Sequence, residues 1–343
     1  MTELRLGLGV HWRRQPLAEM VELIDAGEHL GYDTLWITNE KFYHDMYVTA
    51  AMAAARTRRV RIGTFIADPY SLHPALTAMA VATLDEVSGG RAVLGMGAGG
   101  TGFAEMGIKR VRPAVAIREA IAVIRGMLNG DTVSHDGEFV RFAKGRLGFA
   151  ARPGIPIYVA SRGDHVYRAA GQVADGAMIA TFAEPTGIAH ARKMVGEGAA
   201  KAGRSLADVT LISRIDTCIH PDRAVAYRAV KPNIAVCLWS SYPDRAFVHR
   251  LGLRVPDELE ALIARRDYGL IYECGELVPD DFVPRFAWAG TAEEVTQQVR
   301  RVVVESGIRH LTIMPIPCAG RSESDIATTF AREVVPAAQQ AVR

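Results

Sequence analysis

Short apolar segments alternate with amphipathic segments along almost the whole chain. The short segments are rich in Val, Ile and Leu and are apolar on both faces, which is typical of parallel strands buried between helices and a core. They predict strands at Arg5–Val10, Thr34–Thr38, Val60–Ile66, Ala92–Met96, Ile155–Ala160, Gly176–Thr181, Val209–Ile219 and His310–Pro315. The amphipathic segments predict helices at Pro16–Leu30, Met46–Ala55, Pro74–Val87, Arg112–Leu128, Asp164–Val173, Pro185–Ala202, Ala292–Ser306 and Glu323–Gln340. This order favours an α/β fold of the (β/α)8 TIM-barrel type over an open doubly wound sheet.

Two segments interrupt the alternation. Residues 130–154 contain a short polar stretch that predicts a small hairpin before the fifth strand. Residues 238–288 carry aromatic residues, prolines and charges with patchy periodicity, so we expect an insertion after the seventh strand that acts as a lid or substrate loop. Its residues Trp239, Tyr242 and Tyr272 indicate either an aromatic entrance or aromatics buried under a lid. With no internal repeat and no low-complexity linker, we expect residues 1–343 to form one domain.

Composition excludes several classes of function. The chain is 49% hydrophobic and 23% charged, with a formal net charge of +2, which is typical of a globular protein without a nucleic-acid or membrane-surface partner. The four cysteines are scattered and form no CxxC pair, so we expect reduced thiols, no metal and no disulfide framework. The first residues resemble a strand rather than a signal peptide, and we expect a cytoplasmic protein.

Glycines surround the fourth predicted strand. Ser88–Gly100 has the pattern of a tight turn, a buried strand and then a second glycine cluster at Gly97, Gly99 and Gly100. Glycine has no Cβ and tolerates positive φ, so the backbone can approach a ligand or another backbone closely. The pattern therefore predicts an open mouth at the carboxyl end of this strand, where α/β barrels place their chemistry.

Polar candidates follow the first three predicted strands. Glu40 is a candidate general acid or base and Asn39 a candidate for orienting a ligand, although a solvated loop gives the same pattern. His11 is either a pocket histidine or a histidine packed under aromatics. His73 precedes a helix, and we expect it to have a structural or capping role.

A phosphate-binding motif is predicted after the fifth strand. Ala160-Ser161-Arg162-Gly163 opens a helix, and free backbone amides, a hydroxyl and a guanidinium together can hold a phosphate. An ordinary helix cap is the alternative interpretation.

Several segments match a known family in the right order: Asp68–Pro74, Ser88–Gly100, Gly102–Ile108 and Ala289–Val295. On these residues the chain resembles the bacterial luciferase-like superfamily, and within it the coenzyme F420-dependent branch typified by methylenetetrahydromethanopterin reductase. The resemblance implies a luciferase-like (β/α)8 barrel, a homodimer, and a deazaflavin or isoalloxazine ring at the carboxyl ends of the strands. It also implies a non-prolyl cis peptide at the end of the third strand, here Phe65–Ile66. The small-residue segment Ala50–Ala55 is a candidate dimer face.

The resemblance also implies a set of site residues. The cofactor-binding set is Thr38, Asn39, Phe65, Ile66, Ala67, Gly97, Ala98, Gly99, Gly100, Ala160, Ser161, Arg162, Gly163 and Thr181. Glu40 and His11 are the catalytic candidates. Many relatives have an acidic residue followed by a histidine after the second strand, whereas this chain has Asn39-Glu40. A carboxylate in a buried site can replace that histidine as an acid, or the change can mean a different substrate or lost activity.

These observations lead to one principal hypothesis and three alternatives. The principal hypothesis is an F420-dependent oxidoreductase that moves hydride between the reduced coenzyme and a small organic substrate, with reduction of a C=N or C=C bond. The alternatives are an FMN-dependent luciferase-like monooxygenase and a non-catalytic flavin- or deazaflavin-binding protein. On fold alone, a phosphate-binding lyase or isomerase is also consistent.

Overall fold

The computed structural model describes residues 4–11, 16–271 and 273–340 of the chain. Its strands are β1 (Arg5–Val10), β2 (Thr34–Thr38), β3 (Arg61–Phe65), β4 (Ala92–Met96), β5 (Val133–Asp136), β6 (Arg141–Gly145), β7 (Ile157–Ser161), β8 (Gly176–Ala180), β9 (Thr210–Ile219), β10 (Ala287–Gly290) and β11 (His310–Pro315). Its helices are α1 (Leu17–His29), α2 (Met46–Arg56), α3 (Pro74–Val87), α4 (Pro113–Leu128), α5 (Asp164–Val173), α6 (Pro185–Lys201), α7 (Arg223–Ser240), α8 (Ala246–Arg250), α9 (Asp257–Ala264), α10 (Tyr268–Ile271), α11 (Val283–Phe286), α12 (Ala292–Ser306), α13 (Glu323–Thr329) and α14 (Val335–Gln340). A π-helical turn at Phe330–Val334 joins the last two helices.

The central sheet is a closed parallel barrel. Around the ring the strand order is β1-β2-β3-β4-β7-β8-β9-β11, and β11 pairs again with β1. Strand β10 pairs with β9 outside this ring. The predicted (β/α)8 TIM barrel is confirmed within the described residues, and every predicted barrel strand is found with bounds that differ by at most two residues.

Close packing inside the sheet explains two of the glycines. The Trp36 ring of β2 is fully buried, and a Cβ on Gly63 would lie 2.4 Å from Trp36 Cε3. A Cβ on Gly95 would lie 2.0 Å from the carbonyl oxygen of Thr64. Since real side chains do not approach so closely, β2, β3 and β4 can pack in this register only with glycine at both positions.

The chain divides into two compact units. The β2–β7 unit comprises Gly9–Met178 and Arg192–Leu211, and the β9–β11 unit comprises Met1–Leu8, Ile179–Ala191 and Ile212–Arg343. We name each unit by the strands that lie wholly or mostly within it. That residues 1–343 fold as a single domain stays a prediction.

The predicted hairpin before the fifth barrel strand is confirmed. Strands β5 and β6 pair antiparallel. The Glu119 carboxylate of α4 accepts hydrogen bonds of 2.9 Å from the backbone N–H groups of Glu138, Phe139 and Val140. One side chain therefore anchors the tip of the hairpin to the barrel helix.

The insertion predicted at residues 238–288 contains several short helices, and a long helix that was not predicted precedes it. Helix α7 begins at Arg223, where Asp222 caps it, and extends to Ser240. The sequence analysis missed this helix because Pro232 lies inside it, where proline usually ends a helix. Helices α8 to α11 follow, and strand β10, which was also missed, begins at Ala287.

The burial of Trp239 in this segment argues against the predicted aromatic entrance. Trp239 is buried, and the Arg266 guanidinium lies 3.9 Å from the centre of its ring. Tyr242 is partly buried, and Tyr272 lies outside the described residues. The position of Trp239 therefore agrees with the alternative interpretation, in which the aromatic residues of this segment are buried.

Within the described ranges, no helix combines the length and the apolar character needed to cross a lipid bilayer.

Candidate active site

Asn39 organises the carboxyl end of β3. The peptide bond Phe65–Ile66 is cis, as the resemblance implied. The Asn39 backbone N–H donates to the carbonyl of Phe65 at 2.7 Å, and its side-chain Nδ2 donates to the carbonyl of Ile66 at 3.0 Å. Asn39 therefore fixes both carbonyls at this turn, which makes it a positioning residue.

Thr38 connects the ends of β1 and β2. Its side chain is buried, and Oγ1 donates to the carbonyl of Val10 at 3.1 Å. His11 is the next residue after β1 and is partly buried. The two candidate residues Glu40 and His11 thus each lie one or two positions beyond strand ends that Thr38 ties together.

Glu40 is held by the loop that follows β4. The buried hydroxyl of Thr101 donates to Glu40 Oε1. Glu40 itself is partly buried. A hydroxyl can donate to a carboxylate or accept from a carboxylic acid, so Thr101 can hold Glu40 in both protonation states.

The neighbouring residue Lys41 forms a buried ion pair. Lys41 Nζ lies 2.8 Å from Asp68 Oδ2 and 2.9 Å from Ser71 Oγ, and the Asp68 side chain is 1% exposed. The Asp68 carboxylate also accepts hydrogen bonds from the backbone N–H groups of Tyr70 and Ser71. A buried charge is tolerated when it is paired and hydrogen-bonded in this way. Glu40 and Lys41 therefore bind the loops after β4 and β3 respectively.

Phe103 is the centre of a second set of contacts in these loops. Lys41 Nζ lies 5.4 Å and Arg110 Cζ 5.2 Å from the centre of the Phe103 ring. Arg110 also donates to the carbonyl of Gly99 at 2.7 Å. Gly99 has φ +74°, and a Cβ there would lie 2.4 Å from the Phe103 ring. The glycine at position 99 is thus explained by packing of the chain on itself.

The other residues of the predicted glycine cluster after β4 differ in burial and in the space around them. A Cβ on Gly97 would lie 2.3 Å from Ile66 Cδ1, so this glycine makes room for the residue after the cis bond. Ala67 is buried beside it, and its carbonyl accepts from the Gly97 N–H at 3.0 Å. Ala98 is partly buried, whereas Gly100 is exposed and a Cβ there would meet open space. Gly100 is therefore the position where a ligand can approach the backbone.

The predicted phosphate motif connects β7 to α5. The Ser161 hydroxyl accepts from the Gly163 N–H at 2.9 Å, and the Tyr167 hydroxyl donates to the Ser161 carbonyl at 2.7 Å. The Ser161 side chain thus closes the turn before α5, whereas Gly163, the N-cap residue of that helix, makes no side-chain capping hydrogen bond. The first amides of α5 have no acceptor within the helix, as at any helix start. Asp164 in the first turn opposes anion binding there, so the partly buried Arg162 guanidinium has to supply the positive charge.

Thr181 belongs to the β9–β11 unit and has an unusual backbone. Its φ is +77°, and its N–H donates to the carbonyl of Arg214 at 3.0 Å. A positive φ is uncommon for a β-branched residue and is found mainly at functional sites. The buried Thr181 hydroxyl has no hydrogen-bond partner among the described residues.

The structure brings most of the predicted residues of the β2–β7 unit to neighbouring strand ends. Those at or just after the ends of β2, β3 and β4 are Thr38, Asn39, Glu40, Phe65, Ile66, Ala67, Gly97, Ala98, Gly99 and Gly100, and those at or just after the end of β7 are Ala160, Ser161, Arg162 and Gly163. His73 caps α3, with Nδ1 accepting from the Ala75 N–H at 3.2 Å, which confirms the structural interpretation.

Four residues that position this site were not selected from the sequence: Lys41, Asp68, Thr101 and Arg110. Asp68 lies in the Asp68–Pro74 segment that carried part of the resemblance, which was a usable signal. The pairing of Lys41 with Asp68 and of Thr101 with Glu40 depends on strand register, which spacing alone does not reveal.

Comparison with known proteins decides the family. The family model described as luciferase-like monooxygenase matches residues 3–310. The chain belongs to the luciferase-like monooxygenase family. Among its relatives, the 5,10-methylenetetrahydromethanopterin reductase of Methanolobus tindarius is 31% identical over 290 residues, which cover 84% of this chain and 87% of the relative. The reductase of the same name from Archaeoglobus fulgidus is 29% identical and covers 93% of this chain and 95% of its own length.

A solved structure of this luciferase-like family has the same fold over the full length. The coenzyme F420-dependent tetrahydromethanopterin reductase of Methanopyrus kandleri superposes with a TM-score of 0.83 at 26% identity, covering 98% of this chain and 99% of that one. The expected membership in the F420-dependent branch of the luciferase-like family is thereby confirmed.

Proposed function

We propose that the protein is a coenzyme F420-dependent oxidoreductase that transfers hydride between the reduced coenzyme and a small organic substrate carrying a C=N or C=C bond. The similarity to reductases, one of them named as F420-dependent, supports this proposal. The observation that carries it is the Glu40 carboxylate, which the buried Thr101 hydroxyl holds just beyond the carboxyl end of β2.

The residues present fit a phosphorylated cofactor. Coenzyme F420, when bound, supplies the deazaflavin ring that carries the hydride. The Arg162 guanidinium and the first backbone amides of α5 would be the donors to a phosphate, while the Ser161–Gly163 hydrogen bond would hold the turn in shape. Open space at Gly100 is a feature of the β2–β7 unit that a ligand would complete.

We propose that residues at these strand ends support the ring of the cofactor. Phe65, Ile66 and Ala67 form the segment that would face the ring, and Asn39 holds that segment in place. Thr38 would fix the distance between the ends of β1 and β2. Gly97 and Gly99 would act indirectly, by allowing Ile66 and Phe103 to pack.

Hydride addition to a C=N or C=C bond requires a proton. Glu40 would supply that proton, since a positioned carboxylic acid within reach of the reacting atom can act as general acid. Thr101 would keep the carboxyl group in one orientation before and after the transfer. His11, partly buried after β1, is the second candidate for the same task.

Turnover with reduced F420 tests this role of Glu40. We expect Glu40→Gln to lower the rate by about 100-fold while cofactor affinity stays nearly unchanged, because the amide keeps the shape but carries no transferable proton. The measurement is anaerobic reoxidation of reduced F420 over a panel of imines and activated alkenes. Glu22→Gln, an exposed carboxylate on α1, is the matched control and should retain full activity. A fully active Glu40→Gln variant would remove Glu40 from proton transfer.

We also propose that the protein is a homodimer in the cytoplasm. The small-residue face predicted for the dimer cannot contact a partner through Ala50, Ala53 and Ala54, because these three residues are buried within their own chain. Other apolar side chains of the same region are exposed: Phe42, Val48, Leu76 and Met79. These side chains, which we call the α2–α3 apolar patch, support an interface with a second copy.

A further inference from the structure

Two cysteines lie at the same end of neighbouring strands. Cys218 is the next-to-last residue of β9, and Cys318 follows β11. The two strands run parallel with Thr217 opposite Pro315, and the N–H of Ile316 donates to the Thr217 carbonyl at 2.8 Å. Strand register therefore brings together two thiols that are far apart in sequence.

A tight turn holds Cys318 at this place. The Cys318 N–H donates to the Arg321 carbonyl at 3.1 Å, and the Arg321 N–H donates back to the Cys318 carbonyl at 3.0 Å. The Arg321 side chain in turn donates to Thr329 Oγ1 at 2.5 Å. The turn that carries Cys318 is thus fixed to the helix that follows it.

The two thiols lie at the ends of adjacent strands but differ in exposure. Cys218 is buried whereas Cys318 is partly exposed. Burial and the neighbouring Cys318 raise the pKa of the Cys218 thiol, against the opposite effect of the Arg321 guanidinium. Cys218 therefore stays protonated at neutral pH, and Cys318 is the sulfur that a dissolved oxidant meets first.

We propose that Cys218 and Cys318 form an oxidant-sensitive dithiol that closes to an intramolecular disulfide on reaction with a hydroperoxide. In the first step the Cys318 sulfur attacks the peroxide: an S–O bond forms, the O–O bond breaks, and the leaving hydroxide or alkoxide takes a proton. Cys318 is thereby oxidised to the sulfenic acid by two electrons, which reduce the peroxide.

In the second step the Cys218 sulfur attacks the Cys318 sulfenic sulfur. The S–S bond forms, the S–O bond breaks, and the hydroxide leaves as water with the Cys218 proton. Two thiols and one hydroperoxide thus give one disulfide, one water and one water or alcohol. The bond would join the end of β9 to the turn after β11, and a dithiol reductant would reverse it.

Counting thiols after oxidation of the folded protein tests the proposal. The reduced, folded protein is treated with a small excess of hydrogen peroxide, then unfolded in denaturant and alkylated with iodoacetamide, digested without reduction and analysed by mass spectrometry. We expect the four alkylatable thiols to fall to two, with a Cys218–Cys318 linked peptide that disappears after dithiothreitol. Cys237→Ala, which removes a buried cysteine of α7, should give the same linked peptide.

A second variant separates the two steps. Cys218→Ser should form no link, and the Cys318 sulfenic acid should then be trapped by dimedone. Far-UV circular dichroism establishes that each variant is folded. Recovery of all four thiols, overoxidation of Cys318 in the wild type without a link, or equal linkage to Cys237 and Cys274 would overturn the proposal. None of these readouts depends on cofactor or substrate, so the result is independent of the proposed function.

Discussion

At the scale of single residues, adjacent side chains of opposite charge serve different loops. Glu40 is bound by Thr101 in the loop after β4, whereas Lys41 is bound by Asp68 in the loop after β3. The Asp68 side chain is 1% exposed. We therefore assign loop stability to the Lys41–Asp68 pair, whereas the catalytic role of Glu40 stays a proposal.

The Lys41–Asp68 pair should be costly to break from one side. We expect Asp68→Ala to lower the free energy of unfolding by about 3 kcal/mol, because it leaves the Lys41 ammonium without its buried partner. Urea denaturation followed by circular dichroism measures this. Arg254→Ala breaks the exposed Arg254–Asp257 pair and should leave stability unchanged within error. Equal effects of the two variants would refute the assignment.

The sequence predicted part of this residue-scale picture. Asn39 and Glu40 were selected because polar residues follow a buried strand, and both lie at the predicted strand end. Lys41 and Asp68 were not paired, because their contact depends on how β2 and β3 align. The need for glycine at positions 97 and 99 could not be predicted from the sequence either, because it depends on where the side chains of Ile66 and Phe103 lie.

At the scale of elements, hydrophobic patterning predicted the buried barrel strands well and the outer helices less completely. Strands such as Ala92–Met96 are apolar on both faces and bounded by glycines, which makes their limits readable. Helix α7 was missed because Pro232 interrupts its pattern, yet Gly275 packs against the proline ring and helps accommodate it. Strand β10 is too short to give a signal of its own.

The β5–β6 hairpin should depend on the ionisation of Glu119. Burial acts to raise the pKa of Glu119, but hydrogen bonds from the backbone N–H groups of Val140, Phe139 and Glu138 outweigh it, and the pKa lies below its ordinary value of 4.5. His135, 4.0 Å away, acts in the same direction when it is protonated. Since the folded value is lower than the unfolded one, this stabilisation is present above pH 4.5 and is lost as the pH falls through the folded value.

A Glu119→Gln variant measures that contribution. At neutral pH we expect the free energy of unfolding of the variant to be about 1 to 2 kcal/mol lower than that of the wild type. This difference should shrink as the pH falls below the pKa of an ordinary carboxyl group. Denaturant titrations at several pH values provide the comparison. Asp136→Asn, in the exposed pair with Arg141 on the same hairpin, should show little difference at any pH. A pH-independent difference for Glu119→Gln would contradict the account.

At the scale of the whole molecule, the barrel order follows directly from the sequence, whereas the assembly does not. Eight strand–helix repeats predicted the closed ring, because consecutive parallel strands joined by helices pair side by side. The dimer was predicted from the resemblance, and the alanine face offered for it turned out to pack inward. The exposed α2–α3 apolar patch became visible only once the helices were placed.

The α2–α3 apolar patch gives a direct test of assembly. Val48 is 71% exposed, and we expect Val48→Arg to convert a dimer to a monomer, because the charge would be desolvated at the interface. Light scattering coupled to size-exclusion chromatography reads the mass. Val304→Arg changes a valine of α12 that is 58% exposed and should leave the dimer intact. A wild-type protein that is monomeric at all concentrations would rule out the proposal.

The most direct test of the central claim is equilibrium titration of the purified protein with coenzyme F420 and with FMN in parallel, followed by the fluorescence of each cofactor. We predict saturable binding of F420, much weaker binding of FMN, and a loss of about 10- to 100-fold in F420 affinity in Arg162→Ala, the expected effect of removing a guanidinium from a phosphate. Binding of FMN in preference to F420 would contradict the proposed cofactor, and an Arg162→Ala variant with unchanged affinity would contradict the proposed phosphate site.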